Sequence, residues 1–210
     1  MQVKLSSAQA RVVACLVEKS ITTPQYYPMT VNAIMAAANQ KSCRNPLMKL
    51  TEGDVGAALT QLEAESLVSL EPHGGRVAKW RHRFGHQLLL KAPAMAVLVT
   101  LMLRGPQTLS ELRANAASLG GPDDVSGVQA QLEDLADRAQ PLVGMQPRGS
   151  GQKGTRYVHQ LSDAEPGVAY QAEVITPQVA RSAMQGPNLE ARVSALEARL
   201  AELERELGIS

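Results

Sequence analysis

A chain of 210 residues, 44% hydrophobic but only 3% aromatic, is long enough for one or two domains and must build its cores from Leu, Val, Ala and Met. A formal net charge of +1 argues neither for nor against nucleic acid, and two cysteines exclude a disulfide scaffold. The longest nearly apolar run, Ala92 to Leu103, is shorter than the ~20 residues a bilayer span takes, so no membrane partner is expected.

The distribution of charge says more than its total. Residues 1–86 carry ten Lys/Arg against six Asp/Glu, residues 87–162 seven against six, and residues 163–210 four against eight. The two thiols, Cys15 and Cys43, fit a reducing, cytoplasmic compartment, and Met1-Gln2-Val3-Lys4 shows no apolar signal region.

Ser6 or Ser7 caps a first helix running to about Ser20, with Val12, Val13, Leu16 and Val17 facing a core. Ile21 to Pro28 is a loop over which Tyr26 and Tyr27 pack. Thr30 caps a short second helix with Val31, Ile34, Met35 and Ala38 inward. Asn39 to Leu50 is polar and irregular, long for a helix-turn-helix turn. Thr51 and Asp54 cap a third helix carrying Val55, Ala58, Leu59 and Leu62. Val68 to Pro72 then alternates like a strand, His73-Gly74-Gly75 supplies a turn, and Arg76 to Phe84 returns as a second strand.

The pattern then starts again. Ala92 to Arg104 is an apolar helix closed by Gly105-Pro106, and Thr108 caps a short helix holding Leu109, Leu112 and Ala116. After a Gly/Pro/Asp loop, Val125 to Ala139 is a helix with Val128, Leu132 and Leu135 inward. Leu142 to Pro147 and Thr155 to Leu161 are strands around a Gly-rich turn. Pro28-x-Thr30-x3-Ile34 matches Pro106-x-Thr108-x3-Leu112, and Asp54-Val55-x5-Gln61-Leu62-Glu63 matches Asp124-Val125-x5-Gln131-Leu132-Glu133. Val68-x-Leu70-x-Pro72 matches Val143-x-Met145-x-Pro147, and Lys79-Trp80-x-His82 matches Arg156-Tyr157-x-His159. Four matches in one order mark two similar domains.

The expected fold is α+β, mostly α: two tandem winged helix-turn-helix domains at 1–87 and 88–162, a linker at 163–187 and a C-terminal amphipathic or coiled-coil helix at 188–208. In that last helix Leu189, Val193, Leu196, Leu200, Leu203 and Leu207 are spaced 4-3-4-3-4, a heptad seam. Arg192 and Arg199 each face a Glu five residues on, Glu197 and Glu204, as in a parallel dimer. A homodimer through this helix is expected, the alternative being a single helix docked on its own domain.

Tyr26-Tyr27-Pro28-Met29-Thr30, the run Asn39 to Pro46 (NQKSCRNP) and Lys79-Trp80-Arg81-His82-Arg83-Phe84 together resemble the YceH-like family of bacterial proteins, over roughly residues 5–162. In that family Asn is common where Cys43 stands, Glu where Asn45 stands and Tyr where Trp80 stands. The resemblance implies tandem winged helices. It implies no established activity, ligand or catalytic residue.

The strongest functional candidate is the basic second strand. Strand alternation places Lys79, Arg81 and Arg83 on one face, ~6.6 Å apart, with Trp80 and Phe84 buried on the other. Such a row suits successive phosphates of double-stranded DNA, or is an ordinary solvated face. Arg76 at the turn, Arg148, Lys153 and Arg156 in the repeat, and Lys41 and Arg44 in the polar loop complete the candidate DNA-contacting set. The third helices argue the other way. Gly53, Gly56, Ala57, Thr60, Gln61 and Ala64 make a smooth outer face, and Asp123, Asp124, Glu133, Asp134 and Asp137 make the repeat acidic, whereas base readout favours Arg, Lys, Asn or Gln. A small-residue face admits a partner protein instead. His82-x3-His86 is weak as a metal pair, and no nucleophile–base–acid set is visible. The expectation is therefore a non-enzymatic, nucleic-acid-associated protein without cofactor or metal, or else a winged-helix interaction adaptor.

Overall fold

In a computed structural model the described residues are 3–71, 77–146 and 154–162. Arg76, Arg148 and Lys153 lie outside them, as do the expected linker at 163–187 and the heptad residues of 188–208. The described chain is α+β and mostly helical.

The first helix, α1 (Ser7–Thr22), begins with a capping box in which Ser6 and Gln9 satisfy each other's backbone N–H groups. Nine consecutive residues, Gln9 to Val17, are buried. A helix buried all round, rather than along one stripe, is a core helix. It is covered by α2 (Val31–Ala38) and α3 (Glu52–Ala64) from its own half and by α5 (Ala92–Arg104) from the other. Thr30 caps α2 by accepting from the Ala33 N–H, and Thr51 and Asp54 form the expected box before α3. Val55, Ala58, Leu59 and Leu62 all point inward, as the i, i+3, i+4, i+7 spacing predicts.

Strands β1 (Val68–Leu70) and β2 (Trp80–His82) form an antiparallel hairpin, pairing Val68 with His82, Ser69 with Arg81 and Leu70 with Trp80. Both are shorter than expected. The Arg83 N–H still donates to the Leu67 carbonyl at 2.7 Å, continuing the register past the strand end, and Phe84 then opens a one-turn helix, α4 (Phe84–Gln87), which periodicity did not show and which buries Phe84 completely. Met29 adds a bridge to the far edge of Trp80, through N–H···O bonds of 3.0 and 2.7 Å.

The second half repeats this order. It comprises α5, α6 (Leu109–Ala116), α7 (Val125–Ala136), β3 (Val143–Gln146) and β4 (Arg156–His159). Thr108 and Glu111 box the start of α6, and Asp124 caps α7 by accepting from the Gly127 N–H. Gly105 ends α5 at φ 72°, ψ −154°, a conformation essentially reserved for glycine. Val143 pairs with His159, and Gln107 bridges Tyr157, so the equivalence of Val68 with Val143, Trp80 with Tyr157 and His82 with His159 read from sequence holds in three dimensions. Helix α7 stops at Ala136, three residues earlier than expected.

The described parts of 1–87 and 88–162 lie in one compact unit, Met1–Gln171. Besides α1 packing on α5, the segment before α1 is pinned to the second half. The Val3 backbone exchanges two 3.0 Å hydrogen bonds with the Gln140 side chain, and the Leu5 N–H donates to the Leu161 carbonyl at 2.7 Å. The NQKSCRNP loop is wedged against the same helices. Asn39 Nδ2 donates to the Leu50 carbonyl while Asn39 Oδ1 accepts from the Leu50 N–H, both at 2.8 Å, and the Asn45 N–H reaches the Leu103 carbonyl on α5. Cys43 sits at φ 59°, the left-handed region that Asn tolerates best after Gly. That gives a physical reason for the Asn common there in the YceH-like family.

Arg44 corrects the expectation that it faces nucleic acid. Only 2% exposed, its guanidinium donates to both Glu18 carboxylate oxygens, at 3.1 and 2.6 Å, and to the Ala37 and Cys43 carbonyls. Removing one partner of a buried pair typically costs about 3–5 kcal/mol, because the other charge is stranded. Arg44→Met is therefore expected to lower unfolding stability by that amount in urea titration with an unchanged m-value. Lys41→Ala, on an exposed side chain of the same loop, is expected to stay within about 0.5 kcal/mol.

Candidate nucleic-acid interface

The hairpin β1–β2 positions the row Lys79, Arg81, Arg83. Arg81 projects from the middle of β2, its side chain half exposed, and is tied at 2.6 Å to Glu71 just beyond β1. An exposed pair of this kind is worth about 0–1 kcal/mol, so a competing phosphate can displace Glu71 at little cost. Arg83 is exposed and stands past the strand end, and Lys79 is half-buried before its start. The row thus exists: Arg81 lies on the strand proper, and the Glu71 N–H to Lys79 carbonyl and Arg83 N–H to Leu67 carbonyl bonds, at 2.8 and 2.7 Å, carry the pairing register to both flanks.

Of the other candidate cations, Lys41 is exposed, whereas Arg44 is internal. Arg156 is also turned inward. It donates to the Pro106 carbonyl at 2.8 Å and to both Glu111 oxygens at 3.0 and 3.2 Å. The expectation that Arg156 faces phosphate is thereby corrected: Glu111, whose carboxylate also accepts from the Thr108 N–H, holds it against the start of α6. Sequence reasoning missed three carboxylate partners, Glu18, Glu71 and Glu111. The signal for Glu18 was available, since a carboxylate adjoining an otherwise apolar core helix needs a cation or a route to water.

Behind the row, Trp80 and His82 face inward. The His82 N–H donates to Tyr27 Oη at 2.6 Å, and His82 Nε2 lies 3.1 Å from Ser20 Oγ. Ser20 Oγ itself donates to the Val17 carbonyl at 2.7 Å, and His82 Nδ1 is buried without a partner. These contacts fit a neutral ring with its proton on Nε2. Burial pushes His82 down to about 4, the Arg81 charge adding to the effect, and burial pushes His159 down to about 4 as well. Tyr27 is raised to about 12, chiefly by burial, while Tyr26 stands 75% exposed.

The outward face of α3 is smooth. Glu52, Gly53, Asp54, Ala57, Thr60, Gln61 and Ala64 are exposed, and a side chain added at Gly56 would meet nothing within 4 Å. Asp123, Asp124, Glu133, Asp134 and Asp137 are exposed around α7. Burial raises the Cys15 thiol to about 11. Among the described residues no three His, Cys, Asp or Glu side chains gather as a metal set, and no helix is long and apolar enough to cross a membrane.

The described residues form a repeated helix–helix–helix–hairpin unit whose first hairpin is basic. The chain belongs to the family described as "protein of unknown function, DUF480", whose sequence profile matches residues 5–152. It is 42% identical to a "UPF0502 protein" of Pelobacter propionicus over 98% of this chain and 95% of that one. It is 40% identical to a "UPF0502 protein" of Geotalea uraniireducens over 99% and 90%, and 44% identical to that of Azotobacter vinelandii over 92% and 83%. The resemblance to the YceH-like family read from three motifs agrees with this membership.

The two hairpin histidines predict an acid sensitivity. Each would take its proton near 6.5 in the unfolded chain and near 4 in the folded one. Stability is therefore fully present above pH 6.5 and falls as pH drops toward 4, because only the unfolded state takes up protons in that window. At about 1.4 kcal/mol per pH unit, each ring withdraws at most roughly 3 kcal/mol. Chemical denaturation at pH 7, 6 and 5 should show the decline, and a His82→Gln/His159→Gln variant should be nearly flat over that range.

Proposed function

We propose that the chain is a non-enzymatic, DNA-associated protein built from two tandem winged helices, which meets duplex DNA through its first hairpin rather than its third helices. One observation carries this reading. β2 and its flanks present exposed Arg81 and Arg83 with half-buried Lys79 beside them, and Glu71 is the only carboxylate paired to the row among the described residues. The bridges Met29–Trp80 and Gln107–Tyr157 support the winged-helix reading, since each hairpin gains a third extended segment from the chain entering its second helix. Phosphate contacts through such a row carry charge without sequence information.

The test is binding of a fluorescent duplex by anisotropy across salt. Lys79→Glu/Arg81→Glu/Arg83→Glu should weaken binding and flatten the salt slope, because fewer counterions are released. Gly56→Arg, on the open face of α3, should leave binding in place. Absence of any binding at low salt would refute the proposal.

A second reading is a protein-interaction adaptor, favoured by the smooth α3 face and the acidic surroundings of α7. Under it, Gly56→Arg abolishes capture of a protein partner while the triple reversal does not. We further propose that the heptads of 188–208 pair two copies of the chain. Deleting 188–210 should then convert a dimer to a monomer in analytical ultracentrifugation, and an unchanged mass would exclude pairing through this segment.

A further inference from the structure

Helix α7 and the β3–β4 hairpin border a groove of about 260 Å³. Its floor is apolar, built from Leu132, Val143 and Tyr157, and Met145 stands beside it with 70% of its surface exposed. No described part of the chain therefore fills it. The volume falls below the roughly 300–1,000 Å³ of small-molecule sites, so the groove fits a few side chains of a partner rather than a whole ligand. Its rim is acidic. Glu133 lines it, and Asp137 is exposed one turn further along the helix. Glu133 accepts from the Gln129 side chain at 2.9 Å, and Asp134 is tied to Arg138 at 3.4 Å. Among the described residues no Lys or Arg is paired to Glu133 or Asp137. An apolar floor with a carboxylate rim selects a partner that brings apolar side chains and cations together.

The first hairpin of this same chain has that chemistry. Leu70 and Val77 are 43% and 58% exposed, on the hairpin that also carries exposed Arg81 and Arg83. Leu70 lies opposite Trp80 just as Met145 lies opposite Tyr157, so both hairpins expose an apolar side chain at the same register position. The surface pair of Arg81 with Glu71 is worth about 0–1 kcal/mol and exchanges readily for another carboxylate. Both surfaces are exposed on one chain, so neither fills the other, and a second copy supplies the missing half of each.

We propose that the first hairpin of one copy docks in the α7–β3 groove of a second copy, with Leu70 and Val77 on the apolar floor and Arg81 and Arg83 against Glu133 and Asp137. The contact joins unlike surfaces, so it runs head to tail. Each pair keeps one free groove and one free hairpin, to which further copies add unless a ring closes. This differs from pairing through the heptads, which joins like with like, and it rests on neither reading of the function.

The full-length chain is sedimented over a range of concentrations at about 0.05 M and about 0.5 M salt, a change that shortens the electrostatic range about threefold. Wild type is expected to grow with concentration at low salt, to at least about twice its high-salt mass. Two variants remove charge without reversing it: a hairpin variant, Lys79→Gln/Arg81→Gln/Arg83→Gln, and a groove variant, Glu133→Gln/Asp137→Asn/Met145→Gln. None of the six side chains is buried, and circular dichroism verifies that both variants keep the fold. Each variant alone is expected to hold its high-salt mass at low salt. An equimolar mixture of the two is expected to gain mass, because the intact groove of one meets the intact hairpin of the other. Pairing through the heptads is common to all these samples and cancels in the comparison. A wild type whose mass ignores salt and concentration, a mixture that sediments as its two components, or growth of either variant alone would each overturn the proposal. The groove variant keeps all three hairpin cations, so its binding to duplex DNA tests the DNA reading separately.

Discussion

An irregular loop packed between helices leaves backbone carbonyls that no ladder satisfies, and the interior must supply donors for them. Here two buried guanidiniums do so. Arg44 takes the carbonyls of Ala37 and Cys43, and Arg11 takes those of Ala38 and Pro46. Burying Arg44 is tolerable only because Glu18, on α1, meets it through two oxygens. Burial alone would raise that carboxyl, but the hydrogen bonds and charge of Arg44 outweigh it and hold Glu18 below its ordinary range. The placement of the loop, the α1 surface it covers and the wall it presents to α5 through Asn45 all follow from this pair. The most specific motif of the sequence is therefore an internal clamp at its Arg and Asn39 positions, with Lys41 left at the surface.

The helices were legible because their signals are local. Ser6, Thr30, Thr51, Thr108 and Asp124 each cap a helix by accepting from the N–H three residues on, a contact that needs no tertiary partner. Inward positions on α2, α3, α6 and α7 followed from periodicity for the same reason. The encirclement of α1 was not legible from α1 alone. Its second covering surface, α5, lies more than seventy residues away, and an amphipathic reading assigns only one face. Strand lengths were overstated because Lys79 to Phe84 alternates perfectly in composition, while Phe84 is drawn into the core by a helical turn. Charge was the least legible property. Arg44 and Arg81 look alike in sequence, yet one is sealed inside and the other stands half in water, and only the location of a carboxylate partner separates them.

The two repeats share registers but have diverged in what they expose. In the first, β2 turns Arg81 outward and His82 inward. In the second, the residue aligned with Lys79 is Arg156, and Glu111 holds it against the start of α6. Glu111 is the third residue of a capping box whose counterpart in the first half, before α2, uses Thr30 without an acidic partner. One carboxylate therefore both completes a cap and withdraws a cation from the surface. The first repeat has no such carboxylate, its hairpin keeps Arg81 and Arg83 at the surface with Lys79 half-buried, and the exposed carboxylates around α7 carry the asymmetry further.

This asymmetry bears on how two such modules act when fused into one unit. Two domains on a flexible tether reach separate sites at an effective concentration set by the tether. Modules that share a core, as α1 and α5 do here, present their surfaces at one fixed spacing. Identical surfaces would then demand a partner with the same repeat. Unlike surfaces, one basic hairpin and one acidic helix, relax that demand, because each half can address a different chemistry at once. The shared core is where α1, the clamp loop and α5 meet, beside the Val3–Gln140 and Leu5–Leu161 hydrogen bonds that also join the halves. Whatever loosens the buried Arg44–Glu18 pair loosens the loop that packs between α1 and α5, so the fixed spacing of the two unlike surfaces depends on the same few side chains that hold the fold.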